Sequence, residues 1–274
     1  MTKLTLGSER LRGIVRNASG YAYPLLPGRR SEGIFLWHHG RCGSTVLGNM
    51  LGQHPDIKWY SEIYHTYTLR GKARPRWRHD LRTAQVVSGD CMPGVEVKGL
   101  PCQDLETIGA SLPEFSAGLR ANGFVHCIVL DRANILRKLI SVQVVDQGLR
   151  STYHQTKSES GISGRLELDV DRVRVLRKFA PLAEMLEYIA EQTEVARETL
   201  SRDFDVLSLR YEDHIEHDPK VAYDLFCRHV GVEPISPEVR LNRINTLPMS
   251  ELLSNYQQVA DTLVGTPYEW MLEA

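Results

Sequence analysis

The residues best suited to do chemistry in this chain are gathered in one short run, "FLWHHGRCGSTVLGNMLGQHP", residues 35–55. A short apolar segment stops at Gly40, and Arg41-Cys42-Gly43-Ser44-Thr45 then opens a helical pattern. Gly40 and Gly43 permit a tight turn in which successive backbone N–H groups point at an anion. Ser44 and Thr45 add hydroxyl donors at a helix N-terminus, where the macrodipole also favours negative charge. Arg41 adds a full positive charge on a planar donor fork. These are the parts of a phosphate-binding loop. The nucleotide triphosphatase version, G-x-x-x-x-G-K-[ST], has a lysine directly before its Ser/Thr. Here Gly43 holds that place and the cation stands two residues earlier. Nor does a strand end in a free magnesium-binding Asp, because "VLDR" sets Asp131 beside Arg132. Taken alone, the pentapeptide is also compatible with a plain strand-to-helix turn.

Four short apolar segments have the length and boundaries of buried strands: 33–39, 94–100, 124–132 and 204–211. Between them lie helical patterns. In 170–190, Val170, Val173, Leu176, Phe179, Leu182, Leu186 and Ile189 recur at three- and four-residue steps, with Pro181 expected to kink the middle. In 219–230, Val221, Ala222, Leu225, Phe226 and Val230 share a side, and Gly231 is placed to cap the end. Strands alternating with helices predict an α/β fold, a mainly parallel sheet flanked by helices. Ligands of such sheets bind at the carboxyl ends of the strands, where the candidate residues fall. Two stretches do not fit the sheet: the basic, then turn-rich 70–94, and the polar Ser/Gly-rich 146–169, which reads as a mobile loop or lid.

With 274 residues and no repeat or linker, the expected organisation is one domain over 1–274, with residues 1–30 an N-terminal extension. A net charge of −1 argues against a protein that coats nucleic acid. The five cysteines are odd in number and never spaced C-x-x-C, so neither a disulfide framework nor a zinc site is expected, and a reducing cytoplasm is. No signal-peptide core or run of about 18 apolar residues appears, so no transmembrane segment is expected. His38 and His39 read as strand-end residues and His54 as part of a turn; lacking a third ligand at sensible spacing, they predict no metal site.

Further along, "LDRANILRKLIS" places Arg132 at a strand end and Ser141 in the next helix. "SLRYEDHIEHDP" follows the fourth strand and "INTLPMSELLSNYQQVADTLVGTPYEWML" closes the chain. With these pieces in order, residues 33–272 resemble the sulfotransferases that use 3′-phosphoadenosine 5′-phosphosulfate (PAPS), in particular the bacterial branch with an R-x-G-[ST]-T loop. The resemblance implies a nucleoside-kinase-like P-loop core and a loop, Arg41 to Thr45, that holds the 5′-phosphosulfate. It implies that Arg132 and Ser141 bind the 3′-phosphate and that Tyr211 lies near the nucleotide. Arg243 would bring a second cation to the phosphate as the C-terminal segment folds over; against that stands an ordinary surface arginine. The chain departs from the family at Cys42, where Ser is usual, and in "WHHG" ahead of the loop. Arg132 and Ser141 lie nine residues apart, one more than in many family members. A nine-residue offset does not share a helix face; that Arg132 reaches in from the strand end is what the resemblance implies.

Sulfuryl transfer to a hydroxyl needs a base, cations at the departing phosphate and in-line geometry. The resemblance offers Glu62, in "HPDIKWYSEIYH", as the base; against it stands an ordinary solvated or capping glutamate. Burial beside an acceptor would raise its pKa toward neutrality. Lys98 ends an apolar strand; the resemblance implies that it stabilises charge on the bridging oxygen, and against that stands a lysine that snorkels to water. The implied enzyme takes PAPS as co-substrate, releases adenosine 3′,5′-bisphosphate, requires no metal and acts on a hydroxyl of a carbohydrate, lipid or small metabolite. A P-loop small-molecule kinase and a non-catalytic PAPS- or phosphate-binding protein are the alternatives.

Overall fold

A computed structural model describes residues 32–147, 164–241 and 247–273. Five strands form one parallel sheet: β1 (Gly33–His38), β2 (Ile57–Tyr60), β3 (Met92–Lys98), β4 (Phe124–Asp131) and β7 (Asp205–Arg210), in the order β2-β3-β1-β4-β7. The fold is α/β, as the alternation of patterns predicts. The register sets His38 beside Lys98 on one side and beside Leu130 on the other, so three strands end together. β1 is central, and the chain leaves it toward β2 and β3 before returning to β4 on its far side. The crevice where the strand order reverses therefore opens directly over the loop that follows β1.

All six residues of β1 are buried, because helices cover both faces. One face packs on α1 (Ser44–Leu51) and α6 (Pro219–Val230) through Ile34, Leu36, Leu47, Met50, Phe226 and their neighbours. The other carries Phe35, Trp37, Val95, Val97 and Val129 against α2 (Trp77–Val87), α3 (Leu112–Ala121), α4 (Ile135–Asp146) and α5 (Leu182–Ser201). Gly231 ends α6 in the left-handed conformation, φ 74°, as its position suggests. Among the described residues no helix is long and apolar enough to cross a membrane.

Two expectations are corrected. Residues 170–181 are not helical: Val173–Val175 (β5) and Lys178–Ala180 (β6) form an antiparallel hairpin, and Pro181 starts α5 rather than kinking it. Val173 and Val175 face in and Arg174 faces out, a period of two that the three- and four-residue steps obscured. Proline lacks only an N–H that a helix start does not use. The basic stretch 70–94 is not merely turn-rich, for it contains α2, whose Trp77 and Leu81 are buried while its charges face out. Of the expected lid, 148–163 lies outside the described residues; Leu166 pairs with the C-terminal segment, its N–H donating to Leu252 O at 2.8 Å.

Candidate active site

The loop after β1 is built on two turns that only a left-handed backbone allows. Gly40 has φ 85° and Gly43 φ 86°. A Cβ on Gly43 would meet Ile215 Cγ2 at 2.8 Å and Tyr211 Cδ2 at 3.0 Å, so glycine is required by both conformation and space. Gly43 caps α1 without a side-chain hydrogen bond, leaving the N–H groups of its first turn directed at the crevice. The histidines ahead of the loop lock it. Gly40 N–H donates to His38 Nδ1 at 3.0 Å, which places the ring proton on Nε2, 3.2 Å from Glu96 Oε1. His39 Nδ1 donates to Gly40 O at 3.1 Å, and its Nε2 accepts the Arg132 N–H at 3.3 Å. Burial, with Lys138 nearby, holds His39 well below the usual imidazole range, so it is neutral.

Above the strand ends lies a cavity of about 1050 Å³, lined by Arg41, Gly43, Ser44, Thr45, Glu62, Lys98, Arg132, Ser141 and Tyr211 among others. Lys98 ends β3 in the sheet position next to His38, and its Nζ donates to Glu62 Oε2 at 2.9 Å. It also lies 3.2 Å from His65 Nδ1. The Lys98 backbone N–H donates to the buried Asp104 carboxylate at 2.9 Å, which fixes the strand end. Burial pushes the Glu62 carboxyl up, but the Lys98 ammonium and His38 together pull it down, and the net shift is below the usual carboxylate range. This reverses the expectation that its pKa rises toward neutrality: together these two neighbours outweigh burial. His65 is lowered by burial and by Lys98.

Across the crevice Arg132 follows β4 and stands clear of α4, which begins at Ile135. It therefore reaches in from the strand end, and the nine-residue interval to Ser141 needs no shared helix face. Its guanidinium lies 4.4 Å from the Tyr211 ring centre and donates to Arg41 O at 3.3 Å. Glu212 accepts the N–H groups of Ala133 and Asn134 at 2.9 and 3.0 Å and sits 3.7 Å from Arg132 Nε, so one carboxylate orients both the cation and the start of α4. Ser141 Oγ accepts from Arg41 Nε at 2.9 Å, tying the loop to α4. Asp131, the carboxylate that a kinase would turn to magnesium, is committed to Arg197 of α5, with Arg210 3.7 Å away.

No family profile matches this chain, and no curated protein does. Among solved structures it is similar to a sulfotransferase from Alicyclobacillus acidocaldarius, 14% identical with a TM-score of 0.47, over 88% of this chain and 94% of that one. It is also similar to the sulfotransferase domain of the Synechococcus PCC 7002 olefin synthase, 14% identical with a TM-score of 0.39, over 76% of this chain and 77% of that one. Likenesses this distant carry nothing about chemistry, which has to come from the site.

The cavity brings together Arg41, Gly43, Ser44, Thr45, Glu62, Lys98, Arg132, Ser141 and Tyr211, which come from five separate stretches of the chain. Cys42 does not join them: its side chain is fully buried in the apolar cluster beneath α1, where a thiol packs as a small hydrophobe. Arg243 lies outside the described residues. Sequence spacing also missed a cluster, since the fold brings ligand atoms of His38, Glu62 and Glu96 within 4.8 Å of one another. The cation beside them in this structure is the Lys98 ammonium. Glu96 carried a readable signal, a carboxylate two residues before Lys98 in an apolar strand and hence on the same face. Backbone conformation marks the site as well. Among the described residues, Arg41 (φ 58°), Glu62 (φ 41°) and Leu176 (φ 53°) are the non-glycines with positive φ, and all three line this cavity. Such strain, about 1–3 kcal/mol per residue, persists where the surroundings hold a side chain in place.

Proposed function

We propose that this chain is a sulfotransferase that moves the sulfuryl group of PAPS to a hydroxyl of a carbohydrate, lipid or small metabolite. The observation that carries the reading is a cavity at the sheet's switch point where anion-binding groups from separate elements surround one ion pair, Lys98–Glu62. The Gly43–Thr45 turn and the α1 N-terminus suit the 5′-phosphosulfate, and Arg132 with Ser141 suits the 3′-phosphate. The missing loop lysine and the commitment of Asp131 to arginine argue against a kinase.

The chemistry follows from the ion pair. With the cavity empty, Lys98 holds Glu62 ionised. When the donor binds, its bridging oxygen competes for the ammonium, and Glu62 loses the cation that made it a weak base. Its proton affinity then rises beside the acceptor. The acceptor oxygen attacks sulfur, its proton passes to Glu62, and the bond from sulfur to the bridging oxygen breaks. The electron pair stays on the departing 5′-phosphate, where Lys98, Arg41 and the α1 N-terminus meet the developing charge. The cations of this reading are side chains, and no step calls for a metal.

The deciding measurement is thermal unfolding with adenosine 3′,5′-bisphosphate in the absence of magnesium. A ligand bound only by the native state stabilises it, by about 2.7 kcal/mol at a hundredfold excess over Kd. An equal shift from ATP with magnesium, and none from the bisphosphate, would overturn the reading in favour of a kinase.

A further inference from the structure

Among the described residues, Lys138 is a buried cavity cation to which the reading above gives no role. It lies on α4, one turn before Ser141, and its side chain is 1% exposed. Even so, it lines the cavity, together with the equally buried His39, Gln103, Ser44 and Ser141, which form the floor. Three other cations of the lining have opposite charges close by: Lys98 has Glu62, Arg132 has Glu212, and Arg174 has Asp146 at 3.6 Å; a fourth, Arg41, donates to Ser141 Oγ. Among the described residues Lys138 has no carboxylate partner. Its neighbours are Arg41 and Cys42 from the loop, His39 after β1, Lys98 at the end of β3 and Cys102 just beyond, with Ser141 on its own helix. Two of these are cations and none is a carboxylate; only the two thiols favour its charge. Burial, aided by Lys98 and Arg41, pushes the Lys138 amine down to about 8. An unpaired buried ammonium is costly to a folded chain unless an anion is meant to meet it.

We propose that Lys138 seats a tetrahedral oxyanion on the cavity floor, between the Lys98 and Arg41 sides, and that it takes up a proton as the anion binds. This deepens the sulfotransferase reading and rests on it for one identification only: the oxyanion is the sulfuryl group of the donor, held on the side away from the nucleotide. The cations at the rim then serve the phosphates, and Lys138 serves the group in flight.

The test is calorimetric titration of the full chain with inorganic sulfate at pH 8.5, in two buffers of different ionisation enthalpy. The wild type is expected to bind sulfate and take up roughly half a proton or more, because the empty amine is mostly neutral there and the occupied one is charged. Lys138→Met is expected to bind sulfate about 10- to 100-fold more weakly, with no proton uptake. It should melt no lower than the wild type, since it removes a buried charge; if it fails to fold, Lys138→Gln takes its place. Adenosine 3′,5′-bisphosphate, which lacks the sulfuryl group, should bind the variant and the wild type alike. Sulfate binding that is equal in both proteins, that is absent from the wild type, or that proceeds without proton uptake overturns the proposal. Loss of bisphosphate affinity in the variant moves the seat to a phosphate and overturns the sulfuryl assignment. If the wild type binds sulfate through Lys138 but no bisphosphate at all, the oxyanion seat stands and the PAPS reading falls.

Discussion

The Lys98–Glu62 pair can be interrogated without knowing the acceptor, through a double-mutant cycle on stability. Its side chains are only 15% and 23% exposed and meet at 2.9 Å. A cation this close lowers a carboxylate pKa, and burial in turn raises it. A charge-assisted hydrogen bond between two such shielded groups contributes roughly 1.5–3 kcal/mol, which is the coupling the cycle should return. The sign follows from the direction of each shift. In the wild type the folded pKa of Glu62 is depressed, so the ionised carboxylate contributes stability above its unfolded pKa. That contribution is lost as pH falls through the lower folded value. Glu62→Gln should therefore destabilise the wild type at pH 7, and the difference should shrink on acidification toward pH 3. In a Lys98→Met background only His38 still opposes burial and the nearby Glu96, the folded pKa rises, and an ionised Glu62 becomes a liability at pH 7. There Glu62→Gln should be neutral or stabilising. Urea unfolding of the four proteins at both pH values measures the cycle. An equal loss on Glu62→Gln in both backgrounds would refute the claim that Lys98 sets the charge of Glu62, and with it the exchange of partners proposed for catalysis.

Arg132→Ala should weaken adenosine 3′,5′-bisphosphate by roughly 1.5–3 kcal/mol, and Ser141→Ala by less, while both spare adenosine 5′-phosphate. Calorimetry with the two nucleotides checks this, and equal losses would put these side chains somewhere other than the 3′-phosphate. With an acceptor in hand, Glu62→Gln should keep bisphosphate affinity while kcat falls by about 10²–10⁴. Normal turnover by that variant would pass the role of base to His65, the other proton acceptor beside Lys98.

Much of the frame was legible because its signals are local. β1, β3, β4 and β7 are short apolar runs between turn residues, and the strand-to-helix loop announces itself through Gly40 and Gly43. β2 escaped because four residues at a sheet edge, Ile57–Tyr60, of which only Ile57 is fully buried, carry little pattern. The hairpin of β5 and β6 escaped because Val173, Leu176 and Phe179 mimic a helical step by chance. Within the site, what the sequence could not give was pairing. Arg41 meets Ser141, Lys98 meets Glu62, and Glu212 reaches the start of α4, each across dozens of residues. Those contacts depend on strand order, which no local spacing encodes. The direction of the Glu62 shift was misjudged for that reason: burial could be guessed, but not the cation at 2.9 Å.

The loop's missing lysine can be understood in the same terms. A triphosphatase loop places its cation on the loop itself, so that charge and backbone cradle arrive together. Here the cradle keeps one cation of its own, Arg41, while the others come from the ends of β3 and β4 and from α4, as Lys98, Arg132 and Lys138. A cation on the loop can follow a chain of phosphates, whereas cations fixed on three separate elements define separate points in space. That geometry suits a ligand whose anionic groups lie apart. PAPS, with one group at the 3′ position and another at the far end of the 5′ substituent, has that form. Each element also holds its cation by a different device: Lys98 by Asp104 on its own backbone N–H, Arg132 by Glu212 and Tyr211, and Lys138 by burial in α4. Loosening one should therefore disturb one anionic group of the ligand and leave the others in register.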